Sequence, residues 1–395
     1  SDVCSSDLST RSKGFTDSVI RRMTRISAKY GAVNLSQGFP DFDPPAEILK
    51  RLEQVAHEDY NQYSITWGAG NLRDALAKKQ SLFMDRTIDP ESEIVVTCGS
   101  TEAMMAAVMT VTDPGDKMVV FSPFYENYGA DAILAGAEPI YVPLYPPEFR
   151  FKPEELEAAF RQNPKAMILC NPSNPSGKVF TREELLLIAD LAKKYDVYVI
   201  TDEVYEHIVY KPYEHVYFAT LPDMWERTIS CSSLSKTYSI TGWRLGYIIA
   251  KPEIIDVAKK VHDFLTVGAA APLQEAVIPG LLFGQDYYDQ LLNIYTAKRN
   301  LLLQGLDDIG IEHTNPQGAY YVLLDISRFG YDSDLEFCEV LARDVGVGAV
   351  PGSSFFHEPV NHLIRLHFAK REETLTEALN RLESIHRKIP VKKQF

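Results

Sequence analysis

Ser230-Cys-Ser-Ser-Leu-Ser-Lys-Thr-Tyr-Ser-Ile-Thr-Gly-Trp-Arg-Leu-Gly246 sets one lysine, Lys236, among small hydroxyl residues, with Gly242 and Arg244 close behind it. Both ends read as strands, Thr228–Cys231 and Leu245–Ala250, so the lysine lies in a connection between two strands of a sheet. Most lysines only carry surface charge, and a Ser-rich turn with a lysine has no meaning by itself. An amine that must meet both a carbonyl and a phosphate needs this company, because hydroxyls, backbone N–H groups and a guanidinium hold a phosphate dianion.

Working outward, short apolar runs alternate with helical patterns from Ile94 onward. The strand candidates are Ile94–Cys98, Met118–Phe121, Pro139–Pro143, Ala166–Cys170, Val197–Thr201, Thr228–Cys231 and Leu245–Ala250. Several are apolar throughout, as strands covered on both faces must be, which predicts an α/β fold around a mostly parallel seven-stranded sheet. Helices are expected between them, for example Thr181–Tyr195, which opens with the capping box Thr181 and Glu184. Further helices are expected at Ser18–Tyr30, from Pro44 to Glu58, at Asn71–Met84, Pro252–Phe264 and Leu273–Phe283. Between the first two, the glycine and prolines of Val33 to Pro45 predict a loop without regular structure. A long helix, Tyr287–Leu306, leads into a smaller α+β part with strands at Ala319–Asp325, Gly348–Val350 and Ile364–Phe368 and helices at Asp334–Val345 and Arg371–Ile389. The expected division is a tail at 1–10, an N-terminal arm and lid at 11–45 that belongs with the smaller part, a large domain at 46–285 and a small domain at 286–395. The opening Ser1 to Leu8 has no periodicity and no initiator Met, and is set aside from fold reasoning.

The 395 residues allow two or three domains and a sizeable core. A net charge of −14, with no basic run interleaved with aromatics, argues against nucleic-acid or anionic-membrane binding. Five cysteines without CxxC spacing read as free thiols of a reducing cytoplasm, with no metal site. No apolar run reaches the roughly 18 residues that would span a bilayer.

Open α/β sheets bind ligands at the carboxyl ends of their strands, so the polar residues just beyond each strand carry most weight. Gly99-Ser-Thr-Glu-Ala103 enters a helix there and would aim N–H groups at an anion, although a Ser/Thr cap explains it equally well. Asn171-Pro-Ser-Asn-Pro-Ser-Gly177 is a rigid turn that presents Asn174. Asp202-Glu-Val-Tyr205 puts an acid at a strand end with a phenol three residues on. Together with Lys236 and Arg244, these groups meet the demands of pyridoxal phosphate.

Asn174, then Asp202 and Tyr205, then Lys236 and Arg244 eight residues later resemble the fold-type I pyridoxal-phosphate-dependent aminotransferases of class I/II, over essentially the whole chain from Arg11. Asn34-Leu-Ser-Gln-Gly-Phe-Pro-Asp-Phe42 and Trp225-Glu-Arg-Thr228 are most similar to the kynurenine, glutamine and methionine aminotransferase subgroup. The resemblance implies the aspartate aminotransferase-like fold of pyridoxal-phosphate-dependent transferases and a cytoplasmic homodimer with shared sites. It also implies a role for each matched residue. Lys236 would hold the cofactor as an imine and then move the substrate's Cα proton. Asp202 would pair with the ring nitrogen, and Asn174 and Tyr205 would donate to the ring oxygen. Ser100, Thr101, Ser233, Ser235 and Arg244 would hold the phosphate, joined by Tyr63 from the neighbouring subunit, while Tyr125 stacks on the ring. Arg365, an arginine inside the apolar strand Ile364-Arg-Leu-His-Phe368, would bind the α-carboxylate, since a buried guanidinium needs an anion; a structural salt bridge is the alternative. Gly38 would add a backbone contact within the lid.

The expected reaction passes an amino group from an L-amino acid to a 2-oxo acid by a ping-pong route. Phe15 and Ile20, with Phe355 of Pro351-Gly-Ser-Ser-Phe-Phe356, suggest an apolar wall for large neutral or aromatic donors: methionine, glutamine, phenylalanine, tyrosine or kynurenine. Thr101 stands where one aspartate-specific branch has a lysine. Broad-specificity aspartate transamination, with an arginine swung in from Arg21, Arg22 or Arg25, and cysteine-conjugate β-lyase activity are the alternatives. A non-enzymatic regulator would need a DNA-binding segment ahead of Arg11.

Overall fold

The computed structural model describes residue 13 and residues 17–389; the expected tail at 1–10 and Phe15 lie outside the described residues. Twelve strands occur among the described residues: β1 (Val33–Asn34), β2 (Ile94–Thr97), β3 (Lys117–Ser122), β4 (Glu138–Pro143), β5 (Ala166–Cys170), β6 (Tyr198–Asp202), β7 (Thr228–Ser233), β8 (Gly246–Ile249), β9 (Tyr321–Asp325), β10 (Val347–Gly348), β11 (Val350–Pro351) and β12 (Leu363–His367). All seven strands expected in the main sheet are there, in the order β2-β8-β7-β6-β5-β3-β4. Strands β4, β3, β5, β6 and β7 run parallel, and β8 is inserted antiparallel between β7 and β2. Strands such as β2 and β8 are buried at every residue, which is why they read as continuous runs rather than alternating ones.

The antiparallel insertion decides where the chemistry falls. Gly246, the first residue of β8, pairs with Thr97 on one side and Ser233 on the other. The ends of β2 and β7 and the start of β8 therefore meet at one edge, beside the carboxyl ends of β5 and β6, where Cys170 pairs with Asp202 and Asp202 with Cys231. At that edge the backbones nearly touch: a Cβ on Gly246 would lie 2.7 Å from both Gly99 O and Ser100 N.

A second sheet, β11-β12-β9, is antiparallel, and β1 pairs with β10. Met23 and Leu35 from the N-terminal segment share a core with residues between Leu291 and Ile389, and Val204 to Tyr210, just beyond β6, pack into the same core. The N-terminal arm, the C-terminal sheet and the turn after Asp202 are thus held by one body of apolar side chains.

Four expectations need correction. The segment from Val33 is not wholly irregular: Val33 and Asn34 pair in parallel with Val347 and Gly348, because the breaking residues begin only at Gly38. The strand expected at Gly348–Val350 is two, β10 and β11, paired with β1 and β12. Leu273–Phe283 is two helices, Ala271–Ala276 and Ile278–Leu281; Pro279 lacks an N–H, and its ring crowds the carbonyl four residues back. Arg371–Ile389 likewise divides into Glu372–Leu382 and Ile385–Lys388, where Ser384 Oγ donates to the Arg381 carbonyl at 2.7 Å and draws it from the helical ladder. The expected Asp334–Val345 helix closes in a wider π turn at Leu341–Val345. The Tyr287–Leu306 pattern belongs to a longer helix, Gln285–Ile309, and the Thr181–Glu184 capping box is present with both bonds.

Gly246→Ala forces a methyl group into backbone that has no room for it. It should lower stability by about 1–3 kcal/mol, read as a shift in the midpoint of chemical unfolding; an unchanged midpoint would show that the edge yields freely.

Candidate active site

The edge where β2, β5, β6, β7 and β8 meet opens into a cavity of about 370 Å³. Lys236 reaches it from the β7–β8 connection, with Nζ 3.5 Å from the Gly38 carbonyl and 5.9 Å from the centre of the Tyr320 ring. Burial pushes its amine down to about 8; Arg244 and Arg365 add to the effect and the Asp202 carboxylate opposes it. Asp202, at the end of β6, is buried, and its carboxyl is raised to about 6, chiefly by loss of solvent. Two donors offset part of that cost: Tyr128 Oη–H to Oδ2 at 2.7 Å and the Val204 N–H to Oδ1 at 3.4 Å. Tyr205 shares a hydrogen bond with Tyr321, Oη to Oη, at 2.8 Å.

One wall of the cavity is an anion cup. The Gly99–Val111 helix starts there and brings Ser100 and Thr101 in its first turn. Ser233, at the end of β7, accepts the Ser235 N–H at 3.3 Å, while the buried Ser235 Oγ has no hydrogen-bond partner among the described residues. Arg244 lies flat against Gly99: a Cβ there would come within 2.8 Å of the guanidinium carbon, and with φ +80° the position suits glycine alone. Among the described residues only one Arg244 nitrogen is engaged, Nη1 donating to the Thr241 carbonyl at 2.9 Å.

Arg365 forms the opposite wall. It is 1% exposed and lies between the rings of Tyr321 and Phe355, 4.2 and 4.5 Å from its guanidinium carbon. Nη1 donates to Asn174 Oδ1 at 2.6 Å and Nη2 to the Ser36 carbonyl at 2.9 Å, while Nε has no partner. No carboxylate pairs with it among the described residues, so the structural salt bridge does not account for this arginine. Because Asn174 spends its oxygen on Arg365, its amide N–H groups are left to face a ligand. Gly38 accepts the Tyr320 hydroxyl at 2.8 Å and lines the cavity with Tyr125 and Ile20. Phe355 is fully buried behind that lining, packed with Ile20 and Val350. Tyr63 is the one expected site residue well away from the cavity, on the surface and 90% exposed.

The family model for aminotransferase class I and II matches residues 30–382. The chain belongs to the class I and II aminotransferases. It is similar to the probable N-succinyldiaminopimelate aminotransferase of Mycobacterium tuberculosis, at 36% identity over 94% of this chain and 97% of that one. The solved structure of the aminotransferase of that name superposes with a TM-score of 0.93, covering 96% of this chain and all of the other. The Escherichia coli methionine aminotransferase structure gives a TM-score of 0.91 at 34% identity, covering 96% and 99%. Mouse kynurenine–oxoglutarate transaminase 3 is 34% identical over 93% of this chain and 88% of its own.

This aminotransferase depends on pyridoxal phosphate, as its family does, and the cavity suits that group. The orphaned Ser235 hydroxyl, the partly engaged Arg244 and a helix N-terminus offer donors for a phosphate dianion. A buried lysine with a lowered pKa meets an aldehyde as a neutral amine. The resemblance did not identify several residues in or behind the lining. Tyr128 holds Asp202 from 74 positions away, and Tyr321 backs Tyr205 from 116. Asp131, close enough for the Asp202 charge to act on it, has its carboxyl raised to about 8, first by burial and then by that charge. Nothing local in the sequence marks these three.

In the cofactor-free protein, peptide-resolved acylation of Lys236 should follow a titration near pH 8 instead of the ordinary lysine value of 10.5. Since Arg244 pushes the amine down, Arg244→Gln should move the midpoint upward. A midpoint near 10.5 in the parent protein would contradict the burial and charge described above.

Proposed function

We propose that this aminotransferase moves the amino group of large neutral or aromatic L-amino acids to a 2-oxo acid, in two half-reactions at one site. The observation that carries the donor class is the apolar side chain that Ile20 presents to the cavity, backed by the buried Val350 and Phe355, beside the buried Arg365, which pairs with no carboxylate among the described residues. A side-chain carboxylate placed against that side chain would be desolvated without a partner, at a cost of several kcal/mol. The names of the relatives acting on methionine and on kynurenine support the same reading.

When bound, pyridoxal phosphate supplies an electron-accepting ring and a carbon that carries the amino group between half-reactions. Arg365 and an Asn174 N–H bind the substrate α-carboxylate and fix which face of Cα is presented. Lys236 Nζ, neutral above about pH 8 in this environment, takes the Cα proton and returns it. Asp202 would supply the negative charge that pairs with the ring nitrogen, and Tyr128 keeps that carboxylate oriented. Tyr205 would donate to the ring oxygen and Tyr125 would stack on the ring. Ser100, Thr101, Ser233, Ser235 and Arg244 hold the phosphate. The arm carrying Ile20 and Gly38 acts as a lid that excludes water.

The working unit is read as a homodimer. Tyr63, Ile65, Phe264, Leu265 and Val267 are exposed, and the loop that carries the first two adjoins the end of the Pro252–Thr266 helix that carries the others, with the Gly268 Cβ position 3.4 Å from Thr66 O. An apolar face of that kind favours a second copy of the chain, whose phosphate Tyr63 would reach.

One observation favours a second reading, a donor with a distant anionic group. Arg21 lines the mouth of the cavity, and its guanidinium makes no hydrogen bond or ion pair among the described residues.

Steady-state kinetics with one 2-oxo acid should give methionine a higher kcat/KM than aspartate; a tenfold preference for aspartate overturns the donor class. Asp202→Asn should slow single-turnover proton abstraction by orders of magnitude and weaken cofactor binding. Unchanged single-turnover rates would remove Asp202 from its role.

A further inference from the structure

Behind the anion cup lies a buried pair that none of these roles uses. His262, on the Pro252–Thr266 helix, is fully buried. Its Nε2 is 2.7 Å from the Thr66 carbonyl and its Nδ1 is 2.5 Å from Glu102 Oε1. A carbonyl only accepts, so Nε2 carries a proton. The other Glu102 oxygen accepts the Cys98 N–H at 2.6 Å, at the start of the Gly99–Val111 helix, where the helix dipole favours a negative charge. That arrangement keeps Glu102 a carboxylate and leaves the second proton on Nδ1. Thr266 Oγ1, 3.3 Å from Nδ1, also donates to the His262 carbonyl at 3.4 Å and makes no competing demand.

The position of this pair matters. Glu102 is one and two residues beyond Thr101 and Ser100 on the helix that opens the cup, so an unpaired carboxylate there would repel a phosphate dianion. Thr66 belongs to the loop that carries Tyr63. Cys98 Sγ, 3.6 Å from the Gly268 carbonyl, ties the adjoining loop to the same point.

We propose that His262 is a positioning residue: a buried imidazolium that neutralises Glu102 behind the anion cup and anchors the Thr66 loop to the helix that forms it. The titratable groups around it are Glu102 from that helix, the Cys98 thiol at the end of β2, Arg244 near Cys98, and Asp263 on its own helix. Burial pushes the imidazole down, but the Glu102 hydrogen bond and charge and the Thr66 carbonyl outweigh it, leaving the pKa above the ordinary 6.5. The clamp is therefore complete below that ordinary value and is lost as pH rises through the higher folded one.

The role rests on the reading of the cup as the phosphate site, and the test separates the two. The full chain, stripped of cofactor, is titrated with pyridoxal phosphate and separately with inorganic phosphate, and dissociation constants are read by equilibrium dialysis. His262→Gln keeps a donor for Thr66 but leaves Glu102 unpaired, and should weaken both ligands on the order of tenfold. Adding Glu102→Gln removes the repelling charge and should restore affinity to within about threefold. A single variant within twofold of the parent, or a double variant as weak as the single, overturns the proposal. Arg244→Gln tests the cup alone: if it leaves both affinities unchanged, the phosphate reading fails, whatever His262 does. Should His262→Gln not fold, 15N spectra of the histidine-labelled parent read the protonation directly. Two protonated ring nitrogens at His262 are expected to predominate at pH 6.5, and a predominantly neutral tautomer there overturns the proposal.

Discussion

The close approach of Gly246 to Gly99 and Ser100 is the constraint on which the rest of the site depends. Because β8 runs antiparallel between β2 and β7, three chain segments that would otherwise end at opposite edges meet at one point. Lys236 and Arg244 are carried there by the β7–β8 connection, and the helix start at Gly99 by β2. A side chain at either glycine would push the cup apart, so sheet order and anion binding are one requirement.

Charge in this cavity runs against the molecule as a whole. A chain of net charge −14 places Lys236, Arg244 and Arg365 around one cavity, with Asp202 as the buried acid facing them. The interior cations cost stability while unpaired, and a phosphate dianion and a carboxylate would repay that cost. The same imbalance helps burial lower the Lys236 amine toward neutrality.

Behind Asp202 the turn after β6 is braced by a buried polar cluster. Glu206 accepts from Tyr217 at 2.6 Å, Tyr247 at 3.2 Å and Lys79 at 3.3 Å, tying the turn after β6 to β8 and to the Gly70–Phe83 helix. Against the pull of burial, Lys79 and His207 keep this carboxyl well below its usual range. A turn so braced lets Asp202 and Tyr205 project into the cavity without depending on a ligand for their position.

Much of this was legible in the chain itself. Continuous apolar runs marked main-sheet strands such as β2 and β5, since burial on both faces leaves a local record. Residues at strand ends, namely Asn174, Asp202, Ser233 and Lys236, were readable because topology sends such ends to one edge, and Arg365 because a lone arginine in an apolar strand is conspicuous. Helix ends were less readable at Pro279 and Ser384, where a ring and a hydroxyl compete with the ladder over a few residues. Only the tertiary structure assigned Tyr128 to Asp202, Tyr321 to Tyr205, Asn174 to Arg365 and His262 to Glu102. These pairings span 74 to 191 residues, and each residue in its own segment is an ordinary tyrosine, asparagine or histidine. Sequence records what a residue needs from solvent and from its own turn; which distant partner meets that need is decided when the sheet closes and brings separate segments together.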